Sequence, residues 1–261
     1  MTTKFFLYTK KDGYSVQDIT GCQIINPASY AGTILLYPEE SIDIHYNNAI
    51  LEGSLIEWCK EFCSKDGIFL DIGAHTGTYS VCLSPHCHSV YAFEPQERTY
   101  YALCGSVVMS NRPNIRCFKL GLGSPYQIVK LGGRSPHQVI KSSILKVQNE
   151  DGGNSTIVDD IDPDKVIRTE EIEMTTVDSF FNGRKLDAPI KFIKIDVENN
   201  ELDVLQGAVK TLESNGFPKI VLEGNSNPDK QKDLIDYLEN ILKYRVVPIS
   251  GYSHMFLAVH E

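Results

Sequence analysis

The chain has 261 residues, of which 42% are hydrophobic, and its 34 acidic and 25 basic side chains give a formal charge of -9. This length can bury the core of one large α/β domain with an extension. The acidic balance argues against nucleic acid as a partner, because phosphate binding needs clustered Lys and Arg. No apolar run is long enough for a transmembrane helix, so we expect no membrane partner.

The cysteines indicate a reducing environment. The chain has seven of them, an odd number, with no C-x-x-C pair, and most lie among apolar residues as buried thiols do. The stretch CLSPHCHS (82–89) could offer its cysteines and histidines to zinc, but no second ligand pair with finger spacing accompanies it. The first residues have too short an apolar stretch for a signal peptide. We therefore expect packed, reduced cysteines and a cytoplasmic protein.

Strand and helix signals alternate along the chain. Residues 1–48 carry short strand and turn signals and are interpreted as an N-terminal extension to one domain over residues 49–261. Apolar residues recur at helical spacing from Ala49 to Cys63. The predicted strands are residues 68–72, 89–95, 114–122, 190–196, 219–225, 245–250 and 255–260. The predicted helices are one that begins within residues 76–84 and those at 97–111, 201–216 and 229–243.

This alternation is typical of an α/β protein with a doubly wound, mostly parallel sheet. The last two strands are expected to pair through a turn near Gly251 and to add an antiparallel strand at the C-terminus. Asn227 and Pro228 are typical of the cap and first turn of the last helix.

Residues 123–174 interrupt the alternation with turn signals and short strand candidates but no clear helix. A segment of this length between core elements is usually functional or mobile. Two motifs within it are interpreted as chance matches. Tyr126 and Lys130 have the Y-x-x-x-K spacing of short-chain dehydrogenases, but glycines and a proline confine them. Asp160-Ile161-Asp162 forms a D-x-D in an acidic loop instead of at a strand end.

The most informative stretch is FLDIGAHTGTYS, residues 69–80. Asp71 lies at the end of a predicted strand, and Gly73 and Gly77 lie in the turn into a helix, where small residues let the backbone approach a ligand. Ligands of doubly wound sheets bind at the carboxyl ends of the strands. Glu94 ends the next strand, where an acid can accept hydrogen bonds from ribose hydroxyls. The sequence therefore predicts a nucleoside site.

The order of the loop residues favours one class of nucleoside. A dinucleotide would require G-x-G-x-x-G, whereas this loop reads D-I-G-A-H-T-G, with an acid ahead of the glycines. An anion beside the loop suits a cationic ligand, such as the sulfonium and amino groups of S-adenosylmethionine. The loop thus indicates a methyl donor.

Four segments resemble the FkbM family of S-adenosylmethionine-dependent methyltransferases, namely DIGAHTGTYS, YAFEPQ, TTVDSFF and IKFIKIDVENNELDVLQGAVKTLE. The resemblance covers roughly residues 45–260, and the last segment is its most specific part. It implies a Rossmann-like methyltransferase sheet and an O-methyltransferase that acts on a hydroxyl of a sugar or glycan. Two positions depart from the family pattern: Asn199 replaces a glycine, and His75 stands where asparagine is common.

The strand ends and the resemblance together give the candidate donor-binding residues. These are Asp71, Gly73, Ala74, His75, Thr76, Gly77, Glu94, Pro95 and Gly121. The acceptor, a small molecule or a glycan, is expected beneath residues 123–174.

Methyl transfer to a hydroxyl needs the acceptor oxygen held behind the methyl group, and often a base for its proton. Lys194, Asp196 and Glu198 are spaced by two and share one face of an extended chain. Asp196 is predicted to be the base or a metal ligand, with a helix cap as its alternative role. Glu198 and Glu201 are further candidates, although acids at a helix start also offset its dipole. His254, near the last strand, is another candidate base.

Glu223 and Asn225 end the strand expected beside Asp196. The three residues could form an oxygen-rich site for Mg²⁺ or Mn²⁺. The sequence leaves metal dependence and oligomeric state open. It also leaves two other functions open: a nicotinamide (NAD) oxidoreductase, which the glycine spacing disfavours, and a module that binds the donor without catalysis.

Overall fold

The structure, a computed structural model, describes most of the chain. The described residues are 6–9, 14–19, 22–27, 30, 32–37, 50–130, 140–148, 155–157 and 163–260. The predicted helix start at Ala49 and the D-x-D at residues 160–162 lie outside these ranges. Within them, no helix combines the length and the apolar character that crossing a membrane requires.

The described strands and helices are numbered in chain order. The strands are β1 Phe6–Thr9, β2 Tyr14–Ile19, β3 Cys22–Pro27, β4 Leu35–Tyr37, β5 Ile68–Ile72, β6 Ser89–Phe93, β7 Ile115–Phe118, β8 Gly121–Leu122, β9 Ile140–Val147, β10 Arg168–Thr175, β11 Ile190–Ile195, β12 Lys219–Glu223, β13 Tyr244–Pro248 and β14 Met255–His260. The helices are α1 Gly53–Cys59, α2 Thr78–Leu83, α3 Glu97–Met109, α4 Pro125–Lys130, α5 Val177–Phe181, α6 Glu201–Gln206, α7 Val209–Ser214 and α8 Pro228–Asp236. Short 3-10 turns follow α1 and α2 at Lys60–Phe62 and Ser84–His86, another lies at Pro163–Lys165, and a π-helical turn at Tyr237–Ile241 continues α8.

A seven-stranded sheet in the order β13-β14-β12-β11-β5-β6-β7 forms the centre of the fold. Its strands from β12 to β7 pair in parallel, and β14 is antiparallel to both β12 and β13. The chain proceeds from β5 towards β7 in one direction and from β11 towards β12 in the other. The junction of β5 and β11 is therefore a topological switch point. The predicted doubly wound, mostly parallel sheet with an antiparallel C-terminal strand is confirmed.

The central strands bury both faces of the sheet, which explains their nearly continuous apolar sequences. Phe69 of β5 and Phe192 of β11 stack with ring centroids 4.9 Å apart, in the same core cluster as α1 and α2. Leu70 and Ile193, the next residues along the two strands, belong to the cluster on the other face with α5 to α8. Alternate side chains of these strands thus pack against the helices on opposite faces of the sheet.

The extension forms its own antiparallel sheet, β1 to β4, as its short strand signals predicted. Its last strand packs along α3. The amides of Ile34 and Leu36 donate to the hydroxyls of Ser110 and Ser106 at 2.7 and 2.9 Å. Gly105 makes room for this contact, because a Cβ there would lie 2.7 Å from Leu36 Cδ2. The end of the extension is therefore fixed against the helical layer of the central sheet.

One predicted strand and one predicted helix are each divided into two elements in the structure. The strand expected at 114–122 is two strands, and the second of them, β8, pairs with β10 in a separate sheet ordered β8-β10-β9. The helix expected at 201–216 ends at Gly207 and restarts as α7. Residue 207 must be glycine, because a Cβ there would lie 2.1 Å from the Gly123 carbonyl oxygen. At the break the Gly207 carbonyl oxygen accepts a hydrogen bond from the Asp178 amide at 2.8 Å, and the Asp178 carboxylate accepts hydrogen bonds from the amides of Lys210 and Thr211 in α7.

The interruption at 123–174 contains a helix, α4, where none was predicted. The hydroxyl of Ser124 accepts a hydrogen bond from the Gln127 amide at 3.0 Å and so caps its first turn. Tyr126 and Lys130 lie on this short helix, and Tyr126 is 75% exposed. The Y-x-x-x-K spacing therefore places its tyrosine in solvent.

A tight turn joins β11 to α6. Glu198 and Asn199 have φ values of 54° and 74°. Asparagine enters this left-handed region more readily than most residues, which explains how Asn199 can stand in place of glycine. The Glu201 carboxylate closes the turn by accepting hydrogen bonds from the amides of Val197 and Asn199, both at 3.2 Å. Glu201 is 1% exposed, and burial raises the pKa of its carboxyl group to about 7.

Glu201 should make the stability of the fold depend on pH. Its raised pKa means that the folded chain binds the proton more tightly than the unfolded chain, so stability falls as pH rises from 4.5 to about 7. Glu201→Gln keeps an oxygen for both amides and removes the charge. When the pH rises from about 5 to about 8, the free energy of unfolding of wild type should fall by about 2 kcal/mol more than that of Glu201→Gln. Urea denaturation of both proteins at the two pH values measures this difference. Glu213→Gln, at an exposed position of α7, is the control. Parallel pH profiles for wild type and Glu201→Gln would contradict the shift.

Candidate active site

The carboxyl ends of the central strands open into a cavity of about 360 Å³. The residues that line it from these strand ends are Gly73, Ala74, His75, Glu94, Pro95, Leu120, Gly121, Lys194, Asp196, Val197 and Glu198. They follow or end β5, β6, β7 and β11, so the cavity straddles the topological switch point. This is where ligands of doubly wound sheets bind.

The loop after β5 is held tightly between its neighbours. The amides of Gly73 and Ala74 both donate to the carbonyl oxygen of Phe93, at 3.0 and 2.9 Å. Gly73 has a φ of 79°, and a Cβ built on it would lie 1.7 Å from the carbonyl oxygen of Asp196. Only glycine satisfies both conditions, so the loop can lie directly against the end of β11.

Three predicted donor-binding residues lie behind the cavity wall. Asp71 is 0% exposed, and its Oδ2 accepts a hydrogen bond from Ser80 Oγ at 2.6 Å. Thr76 is also 0% exposed, and a Cβ on Gly77 would lie 2.7 Å from Leu103 Cδ1. None of the three is among the described residues that line the cavity. Their burial corrects the predicted direct contact with a donor to a supporting role beneath the loop.

Glu94 lies at the end of β6 and faces the cavity. Its Oε2 accepts a hydrogen bond from the His75 amide at 3.0 Å, and its Oε1 accepts one from the Gln96 amide at 2.9 Å. A carboxylate oxygen can accept more than one hydrogen bond, so both oxygens keep capacity for a ligand. Burial raises the pKa of Glu94 to about 7. The carboxyl group thus fixes the loop and stands where the sequence predicted a partner for ribose hydroxyls.

Lys194 and Asp196 form an ion pair beside the loop. Lys194 Nζ donates to Asp196 Oδ2 at 2.9 Å and lies 4.6 Å from the ring centroid of Tyr79. Burial opposes the charged form of Lys194, but the charges of Asp196, Asp71 and Glu52 and the hydrogen bond to Asp196 together outweigh it and hold the pKa of the ammonium above its usual range. Burial likewise raises the pKa of Asp196, but the charge of Lys194 and the hydrogen bonds from Lys194 and Glu223 together outweigh it, so this pKa is lowered. Both groups are therefore charged at neutral pH.

Asp196, Glu198 and Glu223 form a cluster of carboxyl groups. One oxygen from each lies within 4.8 Å of the others, a separation that a divalent cation could bridge. A side-chain hydrogen bond joins Glu223 to Asp196, and burial together with the charges of Asp196 and Glu198 raises the pKa of Glu223. The raised pKa favours the protonated form of Glu223, which can donate this proton in the hydrogen bond to Asp196. A cation would have to displace this proton and compete with Lys194.

Other predicted ligands and bases do not join this cluster. The Oδ1 of Asn225 accepts a hydrogen bond from the Asn227 amide at 2.9 Å, and Glu198 is a carboxylate of the cluster that the predicted metal set did not include. His254 is exposed and is not among the described residues that line the cavity, which corrects its predicted role as a base. Its carbonyl oxygen accepts a hydrogen bond from the Gly224 amide at 2.6 Å. Within the described ranges, CLSPHCHS (82–89) does not gather three metal-binding side chains.

Part of the interruption forms a roof over the cavity. The apolar side chains of the roof are Leu145, Ile157, Ile172 and Met174. Ser155 Oγ donates to Gln96 Oε1 at 3.2 Å, and Thr156 Oγ1 donates to the carbonyl oxygen of Glu198 at 2.8 Å. These bonds join the segment to the loops after both β6 and β11. The described part of the interruption therefore reaches across the cavity from the loop after β6 to the loop after β11.

Two residues of the cavity were missed by the sequence reasoning. Tyr79 Oη donates to Glu52 Oε2 at 2.7 Å, and both side chains line the cavity. Tyr79 lies on the first turn of α2, directly after the glycine loop, and this position was the available signal. Glu52 had no such signal, because only tertiary packing brings the start of α1 to the strand ends.

Comparison with known proteins identifies the family. Residues 71–246 match the family model described as the methyltransferase FkbM domain. A comparison with curated proteins found no match. Solved structures with similarity to this one include an rRNA methylase from Streptococcus thermophilus, with 10% identity, coverage of 78% of this chain and 92% of that chain, and a TM-score of 0.44. An O-methyltransferase from Bacillus cereus in complex with SAH has 12% identity, coverage of 80% and 79%, and a TM-score of 0.46. A SAM-dependent methyltransferase from Aquifex aeolicus has 11% identity, coverage of 79% and 87%, and a TM-score of 0.42.

The family match includes the parts of the cavity that carry chemistry. It begins at Asp71, continues through the loop and Glu94, and contains the Lys194–Asp196 pair and Glu223. It spans well over half of the chain and opposes the alternative of a nicotinamide oxidoreductase. The chain belongs to the FkbM family of S-adenosylmethionine-dependent methyltransferases.

Proposed function

We propose that the protein transfers the methyl group of S-adenosylmethionine to a hydroxyl of a sugar or glycan. The observation that supports this most is the carboxylate of Asp196, which is paired with Lys194 at 2.9 Å and lines the cavity next to the glycine loop. A hydroxyl oxygen must lose its proton as it gains a methyl group. A carboxylate held beside the donor site can accept that proton.

The cavity residues fit the donor from its nucleoside to its methionyl chain. Glu94 offers two oxygens to the ribose hydroxyls. Pro95, Leu120 and Ile172 supply apolar surface for the adenine ring. Gly73, which has no side chain, lets the methionyl chain pass along the loop towards Asp196. This arrangement places the nucleoside over β6 and β7 and the methionyl chain over β5 and β11.

Asp196 is the proposed general base. A bound donor would supply a methyl group activated by its sulfonium, and would leave as the thioether S-adenosylhomocysteine when the S–CH3 bond breaks. Asp196 would take the proton that the acceptor hydroxyl loses as its oxygen gains the methyl group. The Lys194 ammonium orients the carboxylate and keeps it ionised between turnovers. Glu223, because it holds a proton, stabilises Asp196 through a hydrogen bond without adding a negative charge.

A hydroxyl-rich acceptor suits the lining of the cavity. Asp196 and Glu198 accept but do not donate hydrogen bonds when they are ionised, and a sugar presents several hydroxyl donors within a small volume. The same acidic lining and the formal charge of -9 oppose a phosphate-rich acceptor such as nucleic acid. Residues 123–174 are proposed to cover the acceptor as well as the donor, although the Gly152-Gly153 turn lies outside the described residues.

A second candidate role for Asp196 is to bind Mg²⁺ or Mn²⁺ with Glu198 and Glu223. The separation of their oxygens favours this role, and such a cation would lower the pKa of the acceptor hydroxyl. The proton on Glu223 and the ion pair with Lys194 favour the first role. We therefore propose catalysis by Asp196 as base, without a required metal.

Replacement of Glu94 should weaken donor binding. Glu94→Ala removes two ionic acceptors for ribose, and we expect at least an about tenfold loss of affinity for S-adenosylhomocysteine, measured by calorimetry. Glu97→Ala removes an exposed acid at the start of α3 and serves as the control. Unchanged affinity in Glu94→Ala would remove Glu94 from the ribose role, and a wild-type preference for NAD would refute the methyl-donor assignment.

Replacement of Asp196 should separate chemistry from donor binding. Asp196→Asn is nearly the same size but cannot accept a proton at neutral pH, so we expect at least an about hundredfold loss of turnover on a panel of glycosides. Affinity for S-adenosylhomocysteine should stay within about threefold of wild type. Asp233→Asn, at an exposed position of α8, is the matched control.

Chelation separates the two roles of Asp196. If Asp196 acts as the base alone, a chelator leaves wild-type turnover unchanged. A rate that a chelator abolishes and Mg²⁺ restores would assign the carboxyl cluster to a metal instead. Near wild-type turnover in Asp196→Asn would refute both roles.

A further inference from the structure

Glu52 contributes a carboxylate to the cavity from outside the family match. It lies before residue 71, where the match begins, and it immediately precedes α1. Its φ of 55° is unusual for a residue with a side chain. The Glu52 side chain lines the cavity.

One oxygen of Glu52 is fixed and the other is available. Tyr79 Oη donates to Oε2 at 2.7 Å, and Tyr79 is itself 5% exposed, so the carboxylate has a defined position. Within the described part of the chain, Oε1 has no hydrogen-bond partner. A carboxylate oxygen that faces a cavity without a protein partner is placed to accept a hydrogen bond from a ligand.

Glu52 marks one end of the cavity. Its partner Tyr79 contacts Lys194 of β11, whose Nζ lies 4.6 Å from the centroid of the Tyr79 ring. Glu94 follows β6, and Gly121 follows β7 on the far side of β5. With strands about 4.8 Å apart, β7 and β11 are separated by about 14 Å. Glu52 therefore lies at the end where the proposed function places the methionyl chain.

The charges at this end favour a cation. Asp196, Glu198 and Glu52 are acids, and the ammonium of Lys194 is already paired with Asp196. The donor carries its α-ammonium group on the methionyl chain, and hydrogen bonds between charged groups are about twice as strong as neutral ones. We propose, on the basis of the donor placement above, that Glu52 binds the α-ammonium group of the donor through Oε1 and that Tyr79 positions it.

Two ligands that differ only at this end of the donor test the proposal. S-adenosylhomocysteine has the amino acid chain, whereas 5′-methylthioadenosine has the same nucleoside and thioether without it. Glu52→Gln keeps the size and the bond to Tyr79 but loses the charge. We expect calorimetry to show an about tenfold loss of affinity for S-adenosylhomocysteine and a change of less than about twofold for 5′-methylthioadenosine.

Control variants make the result specific. Glu57→Gln changes an exposed acid on the same helix and should bind both ligands like wild type. Tyr79→Phe keeps the ring under Lys194 but frees Glu52, so it should show a smaller loss for S-adenosylhomocysteine alone. Equal losses for both ligands, or no loss, in Glu52→Gln would overturn the proposal while leaving the donor site intact. Failure of wild type to bind either ligand would overturn the proposed function itself.

Discussion

The close contact between the loop after β5 and the end of β11 determines the geometry of the site. A single Cβ on Gly73 would fall 1.7 Å from the carbonyl oxygen of Asp196, so any side chain there would push the two strand ends apart. A hydrogen bond from the Asp196 amide to the carbonyl oxygen of Ile72, at 3.0 Å, secures the same junction. The switch point thus brings the backbone that approaches the donor within reach of the carboxylate that is proposed to accept the proton.

The second constraint is the balance of charge around Lys194. Its ammonium is raised in pKa by Asp196, Asp71 and Glu52, after burial has acted against it. One cation cannot neutralise so many acids, and burial together with the charges of Asp196 and Glu198 raises the pKa of Glu223. The cavity that results is negative at its methionyl end. Such a cavity would attract the cationic sulfonium of a donor bound in the proposed direction.

The periodicity of apolar residues was sufficient to predict a strand or helix wherever that element is determined by its own apolar pattern. Residues 68–72 and 255–260 were predicted as strands with the bounds that the structure shows, because each is a short apolar run between turn signals. The division of the helix at Gly207 could not be predicted, since the contacts there come from distant residues: the backbone of Gly123 and the hydrogen bonds of Asp178. The strand at 114–122 divided for a similar reason, because β8 finds its partner in β10.

In the site, as in the fold, features that depend on neighbouring residues in the sequence could be predicted, and features that depend on tertiary contacts could not. Gly73 and Glu94, which line the cavity, could be predicted as site residues because a strand end and a glycine loop are recognisable from neighbouring residues in the sequence. Asp71 was placed correctly on its strand, but its burial beneath the loop depends on packing. Glu52 was missed because its contact with Tyr79 joins two parts of the chain that no motif connects.

A crystal structure of the protein with S-adenosylhomocysteine would test the central claim most directly. We expect the ribose hydroxyls at Glu94, the adenine against Pro95 and Leu120, and the homocysteine sulfur over the junction of β5 and β11, facing Asp196. A ligand bound in the reverse direction, or one whose sulfur lies away from Asp196, would contradict it.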